Sequence, residues 1–351
     1  MATTSKAQKI AAFDQNSAAI KGSNLYGLPF TAEESDIVIL PVPWEVTVSY
    51  AAGTANGPQA ILDASMQVDL YDSDAPDAWK AGFHLLPINE ELAEISTELR
   101  DRAENHIESI SNGEPLDANS GALESINTAC LNMVNFVESE ATKWLDEGKL
   151  VGLLGGDHST PLGFIRALAQ KHNDFGILQI DAHCDLRIAY EDFEYSHASI
   201  MYNALKTPQV SKLVQVGIRD YCEQEANMIR HSNGRIVTYF DEALKIASYE
   251  GKTWKQQVEE IISNLPQKVY ISFDIDGLQP GLCPNTGTPV AGGLEFAQAV
   301  YLLRKVKESG RVFIGFDLNE VAPGEDEWDA NVGARLLYKL CVFAGQSNNI
   351  L

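Results

Sequence analysis

The sequence predicts an α/β protein with a mostly parallel central sheet, and two patterns carry that expectation. Short β-branched runs end at Gly, Pro, Asp or Asn, and stretches with helical spacing lie between several of them. Length and composition agree. The chain has 351 residues, 45% hydrophobic, 21% charged and 9% aromatic, which is ordinary globular composition and enough for one large domain or two smaller ones.

Nothing assigns a structure to the arm before about residue 30. Asp36 to Leu40 is the first apolar run, and its continuous hydrophobicity fits a strand buried on both faces. An acidic helix begins near Asn89, and a second follows with Ile126, Cys130, Met133, Val137, Ala141 and Trp144 on one stripe. Residues 112–121, Asn-Gly-Glu-Pro-Leu-Asp-Ala-Asn-Ser-Gly, read as a solvated loop between them. Residues 89–147 are therefore expected to be a helical insertion within a single domain spanning 31–351. Further strands are predicted at Lys149 to Leu154, Phe175 to Ile180, Lys212 to Val216, Arg235 to Tyr239, Lys268 to Phe273 and Arg311 to Phe316. A helix with Phe296, Val300 and Leu303 on one face precedes the last.

Acidic residues number 49 against 26 basic ones, a formal charge of -23. Such a surface disfavours nucleic acid and anionic membrane as partners and attracts a small cation. No apolar run reaches membrane-spanning length, and the N-terminus lacks the apolar core of a secretory signal, so a cytoplasmic protein is expected. Cys130, Cys184, Cys222, Cys283 and Cys341 show no C-x-x-C spacing, which argues against a disulfide scaffold or a cysteine-built zinc site.

In sheets of this kind chemistry collects beyond the carboxyl ends of the strands. Three predicted strands end in ligand-type residues. Gly155-Gly156-Asp157-His158-Ser159 follows one, Asp181-Ala182-His183-Cys184-Asp185 another, and Asp274-Ile275-Asp276 a third. If the second strand persisted, alternation would put Asp181, His183 and Asp185 on one side and turn Cys184 away as a packing residue. Four carboxylates among six candidates, His158, Asp181, His183, Asp185, Asp274 and Asp276, would repel one another unless cations neutralise them. Two divalent metals would do so. Oxygen ligands with two imidazoles favour manganese, with nickel or iron as alternatives and zinc less suited. Such a pair can share and activate a water, which points to metal-assisted hydrolysis.

These three motifs, in this order, resemble those of the ureohydrolase family of arginases, agmatinases and formiminoglutamases, from about Pro41 to the C-terminus. The resemblance implies a three-layer α/β/α arginase-like fold, two Mn2+ ions, and hydrolysis of a guanidino group to urea and an amine. It implies that His158 and Asp185 bind one metal, His183 and Asp276 the other, and that Asp181 and Asp274 bridge. His197 falls where the family has a mobile proton-shuttling histidine, and Asp276 would also accept a hydrogen bond from the nucleophile. Trimers or hexamers are implied as well.

Val46 to Tyr50 with Gly53-Thr54 and Gly57-Pro58, and Asp185-Leu186-Arg187 leading to Ser196-His197-Ala198-Ser199, resemble the agmatinase pattern, so agmatine, yielding putrescine and urea, is the expected substrate. Arg187 bears on this because formiminoglutamases share Asp-Leu-Arg, and arginine suits a substrate carboxylate. Gln298 stands where the family has its guanidinium-binding glutamate, and Glu295 is the nearby candidate carboxylate to replace it. Asp317 and Glu320, on the last motif-bearing strand, are expected to orient the site rather than to bind metal. Arginase, guanidinobutyrase, guanidine hydrolase and formiminoglutamase activities are the alternatives within this chemistry. From another class comes a catalytically silent metal-binding regulatory subunit, against which the intact six-residue set argues.

Overall fold

A computed structural model describes residues 5–20, 22–114 and 121–351; most of the expected loop at 112–121 lies outside them. Eight strands form one sheet: β1 (Ile37–Val42), β2 (Phe83–Leu85), β3 (Leu150–Gly155), β4 (Phe175–Ile180), β5 (Val210–Ile218), β6 (Ile236–Phe240), β7 (Lys268–Asp274) and β8 (Val312–Asn319). Their order is β2-β1-β3-β8-β7-β4-β5-β6, and every neighbouring pair is parallel. The edge strand β2 has only three residues, too few for a sequence pattern. The order matters for chemistry because β3, β8, β7 and β4 are consecutive in space, which brings together loops more than a hundred residues apart in sequence.

The eleven helices of the described residues cover both faces. They are α1 (Lys6–Ala12), α2 (Gly57–Ser65), α3 (Glu90–Ser111), α4 (Ala122–Asp146), α5 (Leu162–Lys171), α6 (Ile200–Ala204), α7 (Glu223–His231), α8 (Asp241–Tyr249), α9 (Trp254–Ser263), α10 (Phe296–Glu308) and α11 (Trp328–Ser347). Strand alternation divides the core in two. Ile37 and Ile39 pack with residues of α2, α9, α10 and α11 on one face, while Val38, Leu40 and Val42 pack with α3, α4 and α5 on the other. This is a three-layer α/β/α architecture. Helix α11 is buried almost all round, from Asp329 to Gly345, so its sequence shows no amphipathic stripe.

Helix α3 starts where Asn89 Oδ1 accepts a hydrogen bond from Leu92 N at 3.0 Å, satisfying an N–H that the first turn leaves free. The N-terminal segment is stitched onto the domain. Lys6 pairs with Asp36 at 2.8 Å and Lys9 with Glu34 at 2.6 Å. Leu25, Tyr26, Leu28 and Phe30 enter the core, and Tyr26 Oη donates to the Ala334 carbonyl at 2.9 Å. Among the described residues no helix is long and apolar enough to cross a membrane.

Candidate functional site

Strand β3 leaves the sheet through Gly155-Gly156. A Cβ on Gly155 would collide with the Asn319 side chain, and one on Gly156 with the Trp44 carbonyl, so only glycine lets the β1 and β8 ends close over this turn. The turn buries His158. Its backbone N donates to Glu320 Oε1 at 2.9 Å, and its Nε2 lies 2.9 Å from Ser272 Oγ. Ser272 Oγ donates its single proton to Asp317 Oδ1 at 3.1 Å, so it accepts from Nε2–H. His158 Nδ1 points away from Ser272 toward three carboxylates, which overcome burial and push the imidazole well above its ordinary pKa. It faces Asp185 Oδ2 at 2.9 Å, Asp181 Oδ2 at 3.0 Å and Asp274 Oδ2 at 3.3 Å, yet makes no hydrogen bond.

Strand β4 stops at Ile180, and beyond it His183 keeps only an isolated parallel bridge to Asp220. Local bonding completes the convergence of the residues. Asp181 Oδ1 accepts from His183 N at 2.6 Å, and Asp185 takes a left-handed φ of 55°, from which its carbonyl accepts from Met201 N at 3.0 Å. Asp276 sits in a 3-10 turn after β7, where its Oδ1 accepts from Ala182 N at 2.9 Å and its N donates to Asp274 Oδ1 at 2.9 Å. Asp276 Oδ2 faces His183 Nδ1 at 3.0 Å.

Two sets of three donors result, His158-Asp181-Asp185 and Asp181-His183-Asp276. They share Asp181, whose Oδ2 faces one histidine and whose Oδ1 faces the other. The electrostatics fit bound cations. Burial, Asp276 and Asp181 push Asp274 well above the ordinary carboxylate range, and burial with Asp181 raises Asp185 to about 7. Four buried carboxylates cannot all ionise without positive charge between them. The His158 Nδ1, buried without a hydrogen-bond partner, and a donor set of oxygen and imidazole nitrogen suit divalent metal.

The centre opens into a cleft of about 480 Å³ lined by His183, Asp185, Arg187, Tyr190, His197 and Asp220, among others. Burial, then the nearby His183 and His158, lowers the His197 imidazole to about 3. The Arg187 guanidinium lies 4.6 Å over the Tyr190 ring and makes no direct ion pair among the described residues, the Glu191 carboxylate being close enough to feel its charge. Glu225 is committed to backbone, accepting from Leu186 N at 3.0 Å and Cys222 N at 2.8 Å. Asp220 is exposed at the cleft.

Glu295 and Gln298 do not line the cleft. They form a capping box on α10, in which Gln298 Oε1 accepts from Glu295 N at 3.0 Å, and Glu295 is exposed. The helix start consumes the amide expected to receive a guanidinium. Cys184, by contrast, is buried in the core.

Supporting residues went unnoticed in the sequence, although their signal is present. Gln179 and Gln215 are polar residues within otherwise apolar strands, both fully buried. Gln179 Nε2 donates to Asp181 Oδ2 at 2.7 Å. Ser272 is the same kind of interruption in β7. Asp317 receives Asn319 Nδ2 at 2.5 Å besides Ser272, and Glu320 holds the His158 backbone, consistent with orienting roles.

The Arginase family model matches residues 35–342. A protein of Thermus thermophilus named N(1)-aminopropylagmatine ureohydrolase is 32% identical over 87% of this chain and 89% of its own length. A guanidinobutyrase of Pseudomonas aeruginosa is 29% identical over 90% of this chain and 89% of its own. Among solved structures, the agmatine ureohydrolase of Thermoplasma volcanium superposes with a TM-score of 0.70 at 22% identity, covering 98% of this chain and 99% of the other; at that identity the likeness concerns the fold.

Proposed function

We propose that this chain, which belongs to the arginase family, is a metal-dependent ureohydrolase that cleaves a linear guanidino compound of the agmatine type to urea and an amine. The observation that carries this reading is the pair of donor sets sharing Asp181 at the base of a cleft that also contains His197. His158, Asp181 and Asp185 would hold one divalent ion, and Asp181, His183 and Asp276 the second, with Asp274 facing His158 beside them. Manganese is the proposed metal, with nickel as the alternative. When bound, such ions supply a water of lowered pKa and positive charge for the tetrahedral centre.

The protein's own groups do the rest. Ser272 and Gln179 fix the orientation of His158 and Asp181 through the hydrogen bonds above. As the C–N bond breaks, the departing amine needs a proton, because it leaves poorly as an anion. His197 faces the cleft as a neutral imidazole and would pass that proton on from solvent. Exposed Asp220 and the net charge of -23 favour a cationic tail, as in agmatine or an aminopropyl extension of it. Unpaired Arg187 supports a second reading, a guanidino acid such as guanidinobutyrate, whose carboxylate an arginine would hold.

Urea release from agmatine, aminopropylagmatine, guanidinobutyrate, arginine and free guanidine, with apoprotein reloaded with manganese or nickel, tests the proposal. Turnover of agmatine or its aminopropyl derivative is expected. Urea from none of them with either metal would overturn the reading.

A further inference from the structure

Two loops that wall the cleft reach His197 from different sides, and one helix grips both. Helix α3 turns a buried stripe toward them that includes Ser96, Arg100, Ala103 and Ile107, the spacing of one helical face. Ser96 Oγ accepts from Glu45 N at 3.0 Å. Arg100 Nη1 donates to the Val46 carbonyl at 3.3 Å and to the Val48 carbonyl. These two carbonyls flank Thr47, whose backbone faces the His197 imidazole.

Further along α3, His106 Nε2 meets the Glu191 carbonyl at 3.1 Å, and its ring packs against Phe193 at 5.3 Å. Glu191 and Asp192 have φ of 52° and 69°, left-handed conformations that persist in ordinary residues only where the surroundings enforce them. Asn127 of α4 grips the same turn: its Nδ2 donates to the Asp192 carbonyl at 3.3 Å, and its Oδ1 accepts from Glu194 N at 2.9 Å. The turn pairs Tyr190 with Phe193 and sets Tyr190 edge-on to His197, with centroids 6.1 Å apart and planes at 89°.

From this geometry we infer that α3 is a splint for His197, and that Arg100 is a positioning residue which fixes the imidazole where a departing amine takes its proton. The inference rests on the proton-passing role proposed above for His197. Arg100 is 7% exposed and makes no direct ion pair among the described residues, so its buried charge is compensated by the loop carbonyls it grips and at longer range by the Glu191 carboxylate of the second loop. A single guanidinium nitrogen reaches both carbonyls, and a planar, rigid fork holds such a geometry better than a flexible ammonium.

The test compares full-length metal-loaded wild type with Arg100→Met, Arg100→Lys and Asn127→Ala. Arg100→Met is expected to keep its metal content and hold KM within about twofold, while kcat falls on the order of tenfold or more. Arg100→Lys should recover part of kcat. Carbethoxylation of His197, followed by peptide mass spectrometry, should speed up several-fold as the ring is released. Asn127→Ala, a partly exposed site outside the core, should move kcat and modification rate the same way by less, and it keeps the test alive if Arg100→Met does not fold. Unchanged kcat and unchanged His197 reactivity in a folded, metal-replete variant would overturn the inference. So would equal losses of metal, KM and kcat, which would reduce α3 to general support. Absence of urea from every guanidino compound with wild type would sink the parent reading alone, since the modification rates still decide the splint.

Discussion

Gln179 Nε2 donates to Asp181 Oδ2 at 2.7 Å, and Asp181 is the carboxylate common to both donor sets. Gln179 is itself held: Gln215 Nε2 donates to Gln179 Oε1 at 2.7 Å, and Thr238 Oγ1 donates to Gln215 Oε1 at 2.7 Å. Each proton in this chain points toward Asp181, across β6, β5 and β4, so the carboxylate is oriented before any cation arrives. Gln179→Leu keeps the volume and removes the donor. It is expected to weaken metal affinity by roughly 10- to 100-fold, the range for lost outer partners of a metal ligand, with little change in fold. Metal titration of the apoprotein checks this, and wild-type affinity in the variant would remove Gln179 from the centre.

Asp274 differs from Gln179 because it faces the metal donors directly, 3.3 Å from His158 Nδ1, while its Oδ1 accepts from Asp276 N. Asp274→Ala should therefore lose both the carboxylate and the bond that shapes the Asp276 turn. Metal content by elemental analysis and urea release should fall together to background. A metal-replete, active variant would refute the site as assigned.

Much of this arrangement was legible from the residues. The strand-end motifs named the five residues of the two donor sets and Asp274, which faces His158 beside them, because carboxylates and imidazoles closing apolar runs are conspicuous. The bridging position of Asp181 depended on the family resemblance, and its two oxygens do face different histidines. What the pattern could not give was the local path. Past Ile180 the regular ladder gives way to a single parallel bridge between His183 and Asp220, and local bonds at Asp181 and Asp185 set the rest of the path. Gln298 misled for a related reason: aligned position does not reveal that a glutamine three residues after Glu295 completes a capping box. Helix α11 was missed because burial on all sides erases periodicity. The role of the 89–147 helices was open in the sequence, since the contacts of Arg100, His106 and Asn127 with the cleft loops are long-range.

His197 is neutral near pH 7 because burial and the charges of His183 and His158 lower it to about 3. His197→Ala should keep metal while kcat drops by about 10²- to 10⁴-fold, the usual weight of a proton-transfer group. The same shift predicts a stability effect. An unfolded imidazole titrates near ~6.5, so between that value and about 3 the unfolded chain binds more protons than the folded one, and stability falls as pH falls through this window. In metal-free protein, the drop in urea-unfolding midpoint from about pH 7.5 to about pH 4.5 should be smaller for His197→Asn than for wild type. Equal drops would show that this imidazole is not held neutral.

Arg187 decides between the two substrate readings. Its guanidinium stacks on Tyr190, lines the cleft and makes no direct ion pair among the described residues in a chain of net charge -23. If it receives a substrate carboxylate, Arg187→Ala should raise KM for guanidinobutyrate by about 10-fold or more, the weight of one charge-assisted hydrogen bond. The same substitution should leave KM for agmatine unchanged or lower it, because a positive charge near a cationic tail is repulsive. KM values for both substrates in wild type and variant give the answer as a ratio, which cancels any general damage to the cleft. A ratio that does not move would mean that Arg187 serves only to stack Tyr190, and that charge selection falls to Asp220, the exposed carboxylate at the cleft.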